Sequence, residues 1–177
     1  NMAILMDAEP VAGNIELFSE VRSAWHQESL RSSIAASWFA RPALLFETPL
    51  TLLGNIREDH GSIDIKKGGI FPIVHGIRAL AFEHGLYETN TIDRLDKLTE
   101  SGILSVDVAQ GLKDSLILFL RIRLRYQLEQ DDKNRGLNHK LPVSGLRSVD
   151  RSLLRHGLHR VKKFKQWLIS HYHLENL

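Results

Sequence analysis

The stretch 62–85, SIDIKKGGIFPIVHGIRALAFEHG, constrains the fold more than any other part of the chain. Ile63 and Ile65 alternate with a polar residue, which is typical of a short strand. The pair Gly68-Gly69 then predicts a break, because glycine permits backbone conformations that side chains forbid. A helix follows, with Pro72 in its first turn, where the missing N–H costs nothing.

This helix is apolar on nearly every side, which predicts a central and buried position. At 100° per residue, Arg78 nevertheless falls among the apolar residues, and His75 lies one turn earlier on the same side. An unpaired buried charge is very costly. Arg78 must therefore be paired, or it must line a polar pocket.

The composition limits the classes of protein to which this chain can belong. The chain has 177 residues, enough for one well-packed domain, with an ordinary apolar content of 43% and charged content of 25%. It has no cysteine, which excludes disulfides and thiolate metal sites and fits a reducing compartment. No apolar run approaches the ~20 residues of a membrane span, and the opening residues do not resemble a secretory signal. We therefore expect a cytoplasmic protein with no membrane partner.

Charge is distributed unevenly along the chain. Residues 1–100 carry 9 Lys and Arg against 14 Asp and Glu, whereas residues 101–177 carry 14 against 7. The two halves can pack against each other, or the basic half can face an anionic partner. The most basic stretch, 147–165, lacks interleaved aromatic residues and a helix-turn-helix pattern, so we expect a solvated face and no nucleic-acid partner.

Local patterns predict four helices and a hairpin besides the central helix. We expect a lead-in, 1–13, from an upstream domain, and a bundle domain, 14–177, whose first helix is capped by Asn14 and ended by Arg41-Pro42. Glu28 lies in the apolar stripe of that helix, either at a helix break or as a buried carboxylate. The predicted elements are a helix 15–40, a hairpin of 48–54 with 61–65, and helices 92–100 (with a cap signal at Thr89-Asn90-Thr91), 105–130 (capped by Ser105) and 149–174 (capped by Ser148). The predicted fold is all-α, a bundle of about five helices with a small β-hairpin before the central helix.

The predicted helix 105–130 directs one of its arginines inward. In the run RIRLR, Arg121 and Arg125 point into solvent, whereas Arg123 and Gln127 project into the middle of the apolar stripe. Together with Arg78, they can form a polar pocket that binds a phosphate, carboxylate or base through forked hydrogen bonds. The alternative is a set of internal ion pairs that hold the helices in register. The candidate acidic partners are Asp64, Glu28 and Asp93.

Several of these segments follow an order found in a known family. They are IDIKKGGIFPIV at 63–74, Arg78, Thr89-Asn90-Thr91, Arg94-Leu95 and LRIRLRYQ at 120–127. In these elements the chain resembles the putative nucleotidyltransferase substrate-binding domain, from about Pro10 to the last helix. A weaker similarity links the segment around Asp64 and Gly68-Gly69 to a loop of glutamine synthetase adenylyltransferase and PII uridylyltransferase.

The resemblance implies a helical domain that follows a nucleotidyltransferase domain in bacterial signalling proteins, often with cyclic-nucleotide-binding or CBS domains further upstream. It also implies that the catalytic part lies outside this chain, so no catalytic residue is assigned here. Mg²⁺ and a nucleotide are expected only with that missing domain, because the chain lacks the Gly-Ser turn and the carboxylate pair that would hold the metal.

Lys66 and Lys67 are the second candidate binding element. Backbone N–H groups, the helix dipole and two ammonium groups would converge there on a phosphate. The alternative is a structural turn whose lysines are solvated or dock on the catalytic domain. Asp64, His75 and Arg94 are candidate accessory residues of the site.

Three hypotheses for function result. In the first, Lys66, Lys67, Arg78, Arg123 and Gln127 position an anionic small molecule or a protein substrate for the upstream nucleotidyltransferase domain. In the second, the chain is a structural or protein-docking module with internally paired arginines. In the third, Arg151 and His156 match the Arg–His motif of HEPN-type ribonucleases. No metal site is predicted, because the nine histidines have no third ligand at suitable spacing.

Overall fold

The computed structural model describes residues 5–31, 33–132 and 139–174, and it confirms the all-α fold. Six helices and one two-stranded ladder are described. They are α1 Ile15–Arg31, α2 Ser33–Leu44, α3 Phe71–Glu83, α4 Thr91–Glu100, α5 Val106–Asp131, α6 Ser148–His171, β1 Ser62–Ile63 and β2 Leu141–Pro142. None of the described helices is both long and apolar enough to cross a membrane.

The predicted first helix covers α1 and α2, which are described on either side of residue 32. Asn14 caps α1 as expected, since its Oδ1 accepts the backbone N–H groups of Glu16 at 2.9 Å and Leu17 at 3.2 Å. The prediction that Pro42 ends the second segment is wrong, because α2 continues to Leu44. Three small residues of α2 are completely buried, and this packing outweighs the hydrogen bond that proline removes. They are Ala36, Ala40 and Ala43. The side chain of Glu28 lies outside the described part of the structure.

The predicted pairing of 48–54 with 61–65 is also wrong. Strand β1 pairs antiparallel with β2, so that Ile63 lies opposite Leu141. Residues 50–56 instead form a turn of their own, closed by a bridge between Leu50 and Ile56. Ile63 and Leu141 are only 2% and 4% exposed, so the observed register buries two side chains that a solvent-facing hairpin would leave in water.

The glycine pair before α3 does not break the helix. Residues Lys66–Ile70 form a π-helical turn that runs directly into α3, with Pro72 in the first turn of α3 as predicted. The glycines are required for close packing. A Cβ on Gly69 would lie 2.9 Å from the Phe119 ring of α5, and a Cβ on Gly68 would overlap Pro49. The turn therefore packs closely against both Pro49 and α5.

Helix α3 is the buried centre of the bundle, as its composition predicts. Ile73, Ile77 and Leu80 are completely buried, and α6 packs across Gly76 through Phe164 and Leu168. These contacts exclude water from nearly the whole length of α3.

The buried face of α6 includes Leu154 rather than Leu153. Leu153 is 47% exposed, whereas Leu154 and Leu158 are completely buried. The helix begins at Ser148, with Arg147 in the N-cap position, so the expected cap at Ser148 is wrong. Caps are predicted correctly at Asn90 and Ser105, whose side chains accept N–H groups of α4 and α5.

Candidate functional site

Arg78 and Arg94 share one carboxylate, Asp7 of the lead-in. Arg94 is 1% exposed and its Nη2 lies 2.7 Å from Asp7 Oδ1, while Arg78 pairs with the other oxygen of the same carboxylate. Arg94 also donates to the backbone carbonyls of Glu88 at 2.7 Å and Met6 at 3.3 Å. Burial alone would raise the pKa of Asp7, but the hydrogen bonds from Arg78 and Arg94 lower it below its usual value.

His75 completes this cluster as a neutral side chain. Its ring stacks on Phe71 with centroids 3.9 Å apart, and its Nδ1 lies 3.3 Å from the Arg78 guanidinium. Burial and the charge of Arg78 lower the pKa of His75 to about 4, against a smaller opposing effect of Asp7. At neutral pH the ring therefore accepts a hydrogen bond from Arg78.

The sequence predicted that Arg78 is buried and needs a partner, but the partner is not one of the three acids considered. Asp7 lies in a lead-in without periodicity, so nothing in the local pattern distinguished it. Because the Asp7 carboxylate is paired with both arginines, this part of the lead-in packs against the bundle.

Asp64 caps the turn that holds Lys66 and Lys67. Its Oδ1 accepts the backbone N–H of Lys67 at 2.9 Å, and its Oδ2 lies 3.8 Å from the Lys67 ammonium. A carboxylate thus already occupies one of the N–H groups that a phosphate would use. The Lys67 ammonium also lies 5.4 Å from the ring centre of Phe46. Lys66 is exposed and makes no ion pair with any described residue.

Arg123 and Gln127 are partly buried on α5 and make no hydrogen bond or ion pair within the described ranges. The direction of α5 shows at which end of the bundle they lie. Phe119 lies against Gly69, and further along α5 a cleft is shared with β2, the partner of β1. β1 and Lys66 precede Gly69 in the sequence, whereas Arg123 and the cleft follow Phe119. The segment 62–69 and helix α5 therefore run antiparallel, and Lys66 and Arg123 lie at the same end of the bundle.

Arg78 lies at the opposite end. It is nine residues beyond Gly69, and Arg123 is four residues beyond Phe119 in the opposite direction. At 1.5 Å per residue, the two arginines are separated by roughly 20 Å along the helix axes. The structure therefore does not bring Arg78 into one pocket with Arg123 and Gln127.

Arg125, predicted to point into solvent, binds the buried Asp150 of α6. Asp150 accepts hydrogen bonds from Arg125 at 3.0 Å and Arg147 at 2.9 Å. The hydrogen bond from Arg147 is the main reason that the pKa of Asp150 is lowered. This group lines a cleft of about 750 Å³ that also holds Glu129. Two acids balance two arginines there, so the cleft has no excess positive charge for an anion.

The Arg151 and His156 side chains have different hydrogen-bond partners. Arg151 donates to Glu58 at 2.9 Å, and His156 Nδ1 donates to the backbone carbonyl of Ser152 at 2.8 Å. These contacts do not assemble an acid–base pair. Within the described part of the chain, no group of three or more His, Cys, Asp or Glu side chains could hold a metal ion.

The model of the family described as "Putative nucleotidyltransferase substrate binding domain" matches residues 33–172. The chain belongs to this family. No curated protein and no solved structure matches the chain. All eight candidate site residues lie within the matched range of this substrate-binding domain family, between residues 64 and 127. Asp7, the counter-ion of Arg78 and Arg94, lies outside it.

Proposed function

We propose that this chain is a non-catalytic accessory domain that positions an anionic substrate or nucleotide for a nucleotidyltransferase domain. The family description supports substrate binding beside such a domain. In this proposal Mg²⁺ and the reacting nucleotide are held by the catalytic domain, and the present chain supplies recognition.

The observation that carries the proposal is the guanidinium of Arg123, which has no hydrogen-bond or ion-pair partner among the described residues. A partly buried arginine without an acidic partner retains its forked set of donors for a phosphate or carboxylate. Gln127, one turn further along α5, adds an amide that can donate or accept, and Lys66 adds a mobile ammonium at the same end of the bundle. We define Lys66, Arg123 and Gln127 as the anion face.

The remaining candidates are proposed to hold the turn of Lys66 and the lead-in in place. Lys67 and Asp64 hold the turn that carries Lys66. Arg78 and Arg94 hold the lead-in, since their charge is taken up by Asp7, and the neutral His75 accepts a hydrogen bond from Arg78.

Binding of inorganic pyrophosphate, AMP and ATP to the chain, followed by thermal unfolding, tests this proposal. A specific ligand at 100 times its dissociation constant stabilises the folded state by about 2.7 kcal/mol. We expect Arg123→Ala to abolish this stabilisation. Because Arg123 has no described partner, the same substitution should change the free energy of unfolding without ligand by no more than about 0.5 kcal/mol.

Arg121→Ala is the matched control, because Arg121 lies on the same helix, is exposed and points away from the anion face. It should leave the ligand response unchanged. If none of the three probes stabilises the wild-type chain, or if Arg121→Ala weakens the response as much as Arg123→Ala does, the anion face is not the binding site.

A structural or protein-docking role is the second candidate function, favoured by the shared carboxylate of Asp7. Two of the inward arginines are internally paired and fasten the lead-in to α3 and α4. This role predicts no response to any phosphate probe, combined with a loss of stability when Asp7 is replaced. The contacts of Arg151 and His156 do not favour the ribonuclease alternative.

A further inference from the structure

Two adjacent leucines stand free of the protein at the tip of one turn. Leu52 and Leu53 are 102% and 90% exposed, more than any other leucine whose exposure the structure describes. Isolated exposed apolar side chains are common, but two neighbours without contacts to their own fold indicate an interaction site.

The turn that carries them is rigid. Thr51 N–H donates to the Asn55 carbonyl at 2.8 Å, and Gly54 N–H donates to the Thr51 carbonyl at 3.0 Å. The Thr51 hydroxyl accepts the Asn55 N–H at 3.1 Å. Gly54 adopts a positive φ of 78°, which lets the chain reverse. The leucines are therefore held outward by backbone geometry.

Helix α6 supports this turn from below. His159 Nε2 donates to the Gly54 carbonyl at 2.8 Å, and Arg155 reaches the Asn55 side chain at 3.5 Å. A Cβ on Gly54 would lie 2.7 Å from the His159 ring, so the turn and the helix are in direct contact. The turn that carries Leu52 and Leu53 therefore packs on α6, the most basic of the described helices.

The charges around the tip leave an excess of cations. Three acids near the turn each have their own basic partner, so they cancel. The pairs are Glu47 with Arg57, Glu58 with Arg151 and Asp59 with Lys140. Arg155 and Lys162 are exposed and have no acidic partner among the described residues. An apolar tip surrounded by unneutralised basic side chains matches an anionic lipid surface.

We propose that the turn at 51–55 inserts Leu52 and Leu53 into the surface of an anionic membrane while α6 contacts the headgroups. A protein partner would have to provide a fitted pocket for each freely projecting leucine, whereas the hydrocarbon region of a bilayer accepts both without one. We expected no membrane partner from the sequence because no segment can span a bilayer. A peripheral contact of this kind needs no spanning segment.

Sedimentation of the chain with vesicles tests the proposal. The two vesicle compositions are phosphatidylcholine alone and phosphatidylcholine with 30% phosphatidylserine. We expect binding to the anionic vesicles only, weakened severalfold when NaCl is raised from 0.1 to 0.5 M. Leu52→Ser with Leu53→Ser should lower the partition coefficient at least tenfold. Arg155→Gln with Lys162→Gln should lower it severalfold.

Leu124→Ser is the matched control, because Leu124 is also exposed but lies on α5. It should leave vesicle binding unchanged. Absence of binding to the anionic vesicles would overturn the proposal and leave the leucines to a protein pocket. Binding that the double serine variant retains would equally overturn it, because the basic helix alone would then be responsible. Far-UV circular dichroism of each variant confirms that it is folded.

Discussion

Replacement of Asp7 by asparagine removes the one carboxylate that two inward arginines share. The substitution keeps the shape of the side chain and its ability to accept a hydrogen bond, but it deletes the charge. Arg94, with 1% of its side chain exposed, and Arg78, with 12%, are then two like charges without a described counter-ion. We therefore expect the lead-in to detach and the bundle to lose stability.

The expected loss is about 2 kcal/mol. Breaking a fully buried ion pair costs about 3 to 5 kcal/mol, because the remaining charge stays out of water. The Asp7 side chain is 34% exposed, so solvent screens part of the interaction. Arg94 also keeps the carbonyls of Glu88 and Met6 as acceptors. For a chain of this size, about 2 kcal/mol lowers the melting temperature by about 4 to 8 °C.

Urea unfolding of wild type and Asp7→Asn between pH 3 and pH 8 measures this loss. The pKa of Asp7 is lower in the folded state than in the unfolded state, where it is about 3.9. The carboxylate therefore contributes its full stability above pH ~4 and loses it as the pH falls through the lower, folded pKa. The difference between the two proteins should be constant from pH 5 to pH 8 and shrink below pH 4.

Glu9→Gln is the matched control, because Glu9 lies in the same segment but is exposed, and among the described residues it accepts a hydrogen bond only from the Thr89 hydroxyl. It should change the free energy of unfolding by less than about 0.5 kcal/mol. An Asp7→Asn variant as stable as Glu9→Gln at neutral pH would show that the shared carboxylate does not hold the lead-in in place.

Two further substitutions test the packing of the same bundle. His75→Gln should flatten the pH dependence of stability between pH 6.5 and pH 4, because the lowered pKa of His75 makes the unfolded state bind more protons than the folded state in that window. His75 is partly exposed, so we expect the free energy of unfolding of the wild type to fall across that window by about 1 kcal/mol more than that of the variant. Urea titration measures the difference, and His173→Gln is the control at an exposed site. Gly69→Ala should destabilise the fold by about 1 to 3 kcal/mol, since its Cβ would meet the Phe119 ring at 2.9 Å, whereas Gly145→Ala, with its nearest neighbour at 3.8 Å, should be nearly neutral in the same thermal unfolding assay.

Features encoded within a few residues were predictable from the sequence. The caps at Asn14, Asn90 and Ser105 depend on side chains that reach only two or three residues along the chain. The burial of α3 likewise depends on composition within one helix. Such signals fixed the fold class and most helix positions.

Features that depend on contacts between distant residues were not predictable. The roles of Gly68 and Gly69 depend on Pro49 and Phe119, which belong to other parts of the chain, so conformational freedom was the wrong explanation. The candidate site likewise combines a feature that the sequence predicts with one that it does not. The inward direction of Arg78 follows from helical periodicity, but its partner Asp7 is 71 residues away.

The short ladder of β1 and β2 indicates when the chain can complete its folding. Its register joins Ser62 to Pro142 across 80 residues, and closing a flexible loop of that length costs about 4 kcal/mol of entropy. Two residues per strand cannot offset that cost alone, so the ladder becomes stable only after the intervening helices have docked. The amide of Val143 donates to the Gly61 carbonyl at 3.0 Å, and we therefore expect it to be protected from hydrogen exchange only in molecules in which α3, α4 and α5 have docked.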